Sequence, residues 1–123
     1  MGDSILTSIK KLLGLPEEYE HFDADITMHI NAVFMILTQL GIGKPEGFII
    51  TDKKQTWNDF LPNGDLVKVS AIKSYMFMKV KLAFDPPQSS FVIESYNKLI
   101  NEYEWRMNVN VDNVNAKPEK STT

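Results

Sequence analysis

Glu17, Glu18, His21, Asp23, Asp25 and His29 form the densest group of chemically capable side chains in the sequence. Imidazole beside carboxylate binds divalent metals or relays protons near neutral pH. The local pattern favours plainer roles. Asp23 immediately precedes an apolar-periodic stretch and reads as a helix N-cap. Glu17 and Glu18 follow Pro16 and read as a solvated turn. Asp25 and His29 are four residues apart, the spacing of an ordinary surface pair on a helix. Elsewhere there is no H-E-x-x-H, no phosphate-cradling glycine loop and no G-x-S-x-G elbow. Gly41 and Gly43 end a helical pattern rather than follow a strand and open a helix. The chain has no cysteine, which removes disulfides, thiol nucleophiles and the commonest zinc ligand. The residues therefore predict no catalytic site, no metal and no cofactor.

Bulk properties narrow the remaining classes. A chain of 123 residues supports one domain with one modest core. No apolar run is long enough to span a membrane, and Met1 to Lys11 lacks the basic-then-apolar layout of a signal peptide. The net charge is −3 and the basic residues are dispersed, which weighs against a dedicated DNA-coating face. It leaves room for DNA passing nearby, since a conduit should avoid gripping phosphates.

The elements that would position these groups are helices. The first runs from Ser4 to Leu13, capped by Asp3 or Ser4 and ended by Gly14 and Pro16. Ile5, Leu6, Ile9, Leu12 and Leu13 share one face of it. The second runs from about Ala24 to Leu40, with Gly41 as its C′ residue. Ile26, Ile30, Val33, Phe34, Leu37 and Leu40 make its main apolar stripe, and Met28 and Met35 lie together on the opposite side. A helix apolar on two sides wants two partners. One is the chain's own core; the other is either a neighbouring subunit or another helix of the same bundle.

Residues 42–64 are rich in Gly, Pro, Asp and Asn. A connection this long in a small helical domain usually has a job. Phe48-Ile49-Ile50 suggests a short strand, in a hairpin with the residues near Trp57, and Trp57 to Leu61 suggests a turn of helix. The third long helix runs from about Asp65 to Phe84. Its apolar residues cover most of its circumference, which predicts a central, buried helix. Lys68 and Lys79 fall within that apolar arc. Their stems either lie on apolar surface with their ends in water, or they form a buried ion pair with an acidic residue, within the chain or across a subunit boundary. Asp85-Pro86-Pro87 stops this helix. Ser89 or Ser90 starts the last one, which runs to about Met107 with Val92, Ile93, Tyr96, Leu99, Ile100, Tyr103 and Met107 as its stripe. Phe91 and Trp105 sit on its polar side.

The expected fold is all-α: a four-helix bundle with a long loop between helices two and three and an extended C-terminal tail. Residues 1–107 form the domain, with the loop 42–64 inserted. Residues 108–123 form a flexible tail that orders on a partner. Alone, that tail lacks the apolar content to offset its ordering entropy. Val109 and Val111 alternate with Asn108, Asn110 and Asp112, a two-residue period suited to strand addition on a partner, with Val114 continuing it if the pairing is regular. The alternative is a dispensable solvated end. What remains is a helical domain with apolar groups in excess of its core, the profile of a protein that works by contact. The candidate partner-binding residues are Met28, Met35, Phe48, Trp57, Trp105, Val109, Val111 and Val114.

Three stretches add a resemblance: Lys10-Lys11-Leu12-Leu13-Gly14-Leu15-Pro16-Glu17-Glu18-Tyr19; His21-Phe22-Asp23 with the helix through Ile30-Asn31; and Phe84-Asp85-Pro86-Pro87 with the helix through Glu104-Trp105-Arg106. Together they resemble head–tail connector (adaptor) proteins of tailed double-stranded DNA phages, over residues 3–108. The resemblance implies a subunit of a homo-oligomeric ring, typically a dodecamer, in the virion neck between capsid and tail, assembled in the host cytoplasm. Such a ring docks on the portal protein, extends the channel through which genomic DNA passes without sequence-specific binding, and receives the stopper or tail-side connector. The family has no catalytic residues to carry over. The competing readings are another head- or tail-completion protein of the same virion and a small cytoplasmic interaction adaptor.

Overall fold

Each helix is bounded where local chemistry stops or starts it. The computed structural model describes residues 3–62, 64 and 66–122, with side chains through Asn108. Helix α1 spans Ile5–Leu12, α2 Asp23–Gln39, α3 Trp57–Phe60, α4 Leu66–Phe84 and α5 Ser90–Thr122. The described residues contain no strand; a lone antiparallel bridge joins Ser4 to Thr56. The all-α expectation is met.

Ser4 caps α1 by accepting the Thr7 amide at 3.2 Å. At the end of α2, Gly41 takes φ +85°, a left-handed conformation that costs glycine little. This lets Ile42 N–H reach the Leu37 carbonyl at 2.8 Å and Gly41 N–H the Thr38 carbonyl at 3.0 Å, closing a Schellman motif. The end of α1 repeats it, with Leu15 N–H on Lys10 and Gly14 N–H on Lys11. The single turn α3 has a full capping box: Asp59 N–H donates to Thr56 Oγ1 and Thr56 N–H to Asp59 Oδ2.

The core follows the apolar stripes. It is built from Ile5, Leu6 and Ile9 of α1, Ile26, Ile30, Val33, Phe34 and Leu37 of α2, and Val69, Ile72, Tyr75, Met76, Met78 and Val80 of α4. Ile100 of α5 closes one side. Helix α4 packs against α1, α2 and α5 and is the central element, as its broad apolar arc requires. Phe84 lies against Phe22 at 5.2 Å and His29 at 6.5 Å, while Glu104 meets Tyr75 at 2.7 Å. Both α2 and α5 therefore run antiparallel to α4, and parallel to each other.

Four expectations are corrected. Asp23 is not an N-cap: it is the first residue of α2, after Phe22, which makes no side-chain cap. Its carboxylate instead pairs with Lys10. The strand and hairpin at 48–50 do not form, because Asn31 takes the ladder's place. Its side chain donates to the Ile50 carbonyl at 2.9 Å and accepts the Ile50 amide at 2.8 Å, satisfying that residue's backbone from a helix rather than a strand. Trp57 is 1% exposed, with its indole N–H on Ser8 Oγ at 3.2 Å; it is core and has no surface to offer a partner. The tail is not extended: α5 continues past Met107 to Thr122. No Gly or Pro interrupts residues 90–116, and extending an existing helix needs no new nucleus.

Candidate functional site

Glu17, Glu18, His21, Asp23, Asp25 and His29 do not converge on one point. His21 lies edge-on against Phe22 at 4.8 Å and near Tyr19 at 6.0 Å. His29 faces Phe84 from the side of α2. Asp23 is drawn to Lys10, at 2.9 Å. No three His, Asp or Glu side chains among the described residues are placed to share a metal ion.

Lys10 is the polar centre of this region. It is 2% exposed, and its ammonium donates to the carbonyls of Glu17 and Tyr19, each at 2.8 Å. Asp23 Oδ1 is itself buried without a hydrogen bond of good geometry; the adjacent ammonium compensates it as an ion pair. A buried ammonium must be paired, and here the pairing fixes the turn between α1 and α2. Nothing in the pattern of α1 marks Lys10 as buried, because its partners come from the turn that follows.

A second polar contact holds α5 to α4. Tyr75 O–H donates to Glu104 Oε2 at 2.7 Å, and Lys79 Nζ stands 3.8 Å from the same oxygen. Burial pushes the Tyr75 phenol well above its ordinary range, and the hydrogen bond and charge of Glu104 add to the shift. The acidic partner expected for Lys79 is thus Glu104 of the same chain, in a half-exposed pair.

Part of the remaining apolar surface lies in two lines, one on α2 and one on α5. On α2, Met28 is 59% and Met35 64% exposed. Ala24, Ala32 and Gln39 are exposed with them, at the four- and three-residue spacing of one helix face. This face lies opposite Ile30 and Leu37 and turns away from the core. On α5, Phe91 is 76% and Trp105 66% exposed. They are fourteen residues apart, so they share one face, opposite the buried Ile100. Lys98 and Glu102 lie between them, and Arg106 pairs with Glu102 at 2.7 Å. Each of these large apolar side chains loses roughly 1.5–3 kcal/mol of burial by facing water.

The structure thus sorts the candidate contact residues. Met28, Met35 and Trp105 are on the surface, and Phe91 joins Trp105. Phe48 is half-buried between Phe34 at 5.1 Å and Phe60 at 5.4 Å, and serves mainly to seat the loop. The side chains of Val109, Val111 and Val114 lie outside the described residues. Not anticipated were Ile49, exposed in the connection after α2, and Leu66 and Val67, exposed at the start of α4. Ala24 and Ala32 were legible as a face only once Met28 and Met35 were known to point outward. No helix among the described residues is long and apolar enough to cross a membrane.

Compared with known proteins, residues 5–114 match a family model described as phage connector protein. No curated protein and no solved structure matches the chain.

Proposed function

This chain belongs to the phage connector protein family, and we propose that it is a non-catalytic subunit of the head–tail connector. In this reading, copies form a closed ring in the virion neck, docked on the portal protein. The ring extends the DNA channel and receives the stopper or another tail-side connector. Genomic DNA passes through without base-specific contact, consistent with a chain of net charge −3.

The observation that carries the ring is the pair of apolar faces on α2 and α5. A subunit in a closed ring offers a different surface to each neighbour. Single exposed apolar residues need no explanation, but lines of large ones along two separate helices do. The C-terminal part of α5, from Asn108 onward, is proposed as the arm that engages the portal or an adjacent subunit.

The test is direct. Purified protein mixed with portal particles should add a ring of density on the portal's tail-side face when imaged by electron microscopy. Portal that remains bare at saturating protein overturns the reading. His21→Ala and His29→Ala should both leave ring addition intact, because each imidazole packs against an aromatic ring of its own chain, His21 on Phe22 and His29 on Phe84.

A further inference from the structure

The two exposed faces have a definite relation to each other. Helices α2 and α5 both pack on α4 and, among the described residues, have no substantial contact with one another. The exposed face of each lies on the side opposite its core residues. One chain therefore cannot bring its own two faces together, but two copies can.

Their heights along the bundle also correspond. Phe84 of α4 is level with Phe22 and His29, at the start of α2, and Glu104 of α5 is level with Tyr75 and Lys79 of α4. Moving along α4 from Phe84 to this level covers about 10 Å, and the same distance along α2 reaches the stretch around Phe34 and Met35. Trp105, next to Glu104, stands within about one helical turn of the height of Met35. Because α2 and α5 are parallel, a copy rotated about an axis along the bundle presents α2 to α5 in the same direction and without a vertical step. A closed ring requires such a step-free rotation.

The faces match in shape and charge. Ala24 and Ala32 leave low points on either side of Met28 on α2, whereas Phe91 and Trp105 project from α5. Asp25 lies beside the α2 face, and α2 contains no Lys or Arg. Lys98 lies on the α5 face between the two aromatics. Neither Asp25 nor Lys98 has an ion-pair partner among the described residues. At equal heights they come within about one turn of each other.

We propose that a second copy of this chain covers each face: the α2 face of one subunit seats on the α5 face of the next, head to tail, with Trp105 against Met35 and Ala32 and Lys98 toward Asp25. This contact rests on the ring reading above and specifies which surfaces close it.

The absence of cysteine from the chain makes the contact testable by oxidation. The double variant Met35→Cys with Trp105→Cys, concentrated and oxidised, should give a ladder of covalent multimers on a non-reducing gel. Each single variant should give none, because a head-to-tail contact never places identical positions together. A covalent dimer from either single variant would mean a two-fold contact and would overturn the proposal, as would a double variant that gives no ladder. Charge exchange provides a second arm that does not touch Trp105. Asp25→Lys or Lys98→Asp alone should reduce assembly severalfold in sedimentation, and the two together should restore it; a double variant as weak as the singles overturns the pairing. The portal experiment separates the layers. A ring that forms on the portal without the ladder condemns only this contact, whereas a bare portal condemns the connector reading beneath it.

Discussion

Lys10 carries a positive charge into the interior, and only three oxygens make that tolerable. Two are the carbonyls of Glu17 and Tyr19 and the third belongs to Asp23. Lys10→Met keeps much of the stem's packing but leaves those oxygens without their donor. Unsatisfied buried acceptors should cost about 2–3 kcal/mol, a loss readable as a lower midpoint in urea unfolding with an unchanged slope. An unchanged midpoint would mean that water reaches the site and replaces the ammonium. Tyr75 makes a second prediction, tied to pH. Burial, then Glu104, holds its phenol protonated beyond the ordinary value of 10.0. The folded state keeps this proton longer than the unfolded chain, so its contribution is fully present below about pH 10 and is lost as pH rises above that. Tyr75→Phe should cost about 1 kcal/mol at neutral pH and make the alkaline decline in stability shallower. Unfolding midpoints measured from pH 8 to 11 check both parts.

The connection between α2 and α4 owes its order to side chains borrowed from the helices. Asn31 satisfies both backbone groups of Ile50, and Phe48 lies among Phe34 and Phe60. Gly43 permits this packing because a Cβ there would stand 2.7 Å from the Phe60 ring, at a φ of +84°. Asn31→Ala should leave the helices in place, lower stability by about 2 kcal/mol for two lost hydrogen bonds, and speed hydrogen exchange at the Ile50 amide above all. Equal acceleration across α2 would show instead that Asn31 supports the helix and not the loop. The sequence carries the loop's length and its apolar triplet, which point to a strand. It lacked the information that a helix residue nineteen positions earlier supplies the missing partners.

The molecule as a whole presents a central α4 with α2 and α5 on either side, and a last helix longer than its neighbours. With α5 antiparallel to α4, its 33-residue span carries it on beyond the level of Tyr75, where Glu104 docks. That geometry suits an arm reaching a partner. Deleting residues 108–123 should leave the thermal unfolding of the isolated protein within a few degrees of the full chain, because the described core ends at Met107. The same deletion should abolish addition to the portal. A truncated protein that still docks would return the segment to the role of a dispensable end.

Sequence alone determined the helices and their order, and the stops after α1, α2 and α4, because apolar period, the glycines at helix ends and Asp85-Pro86-Pro87 act locally, within a few residues of where they stand; it ended the last helix too early, at Met107. It also marked Met28, Met35 and Trp105 as misplaced for a simple core, since a helix face is set by spacing alone. The family resemblance, drawn from the same residues, agrees with the match over 5–114. Tertiary structure decided what depends on distant partners. It turned Asp23 from a cap into the counter-ion of Lys10, put Trp57 into the core on Ser8, replaced a strand at Ile50 with Asn31, and gave Lys79 the acid at Glu104. Each of these is a pairing across seven or more residues, and periodicity carries no record of which polar group another element will deliver. The relative height of Met35 and Trp105 is of the same kind: it follows from how α2 and α5 dock on α4, and that docking is a property of packed surfaces rather than of any one helix.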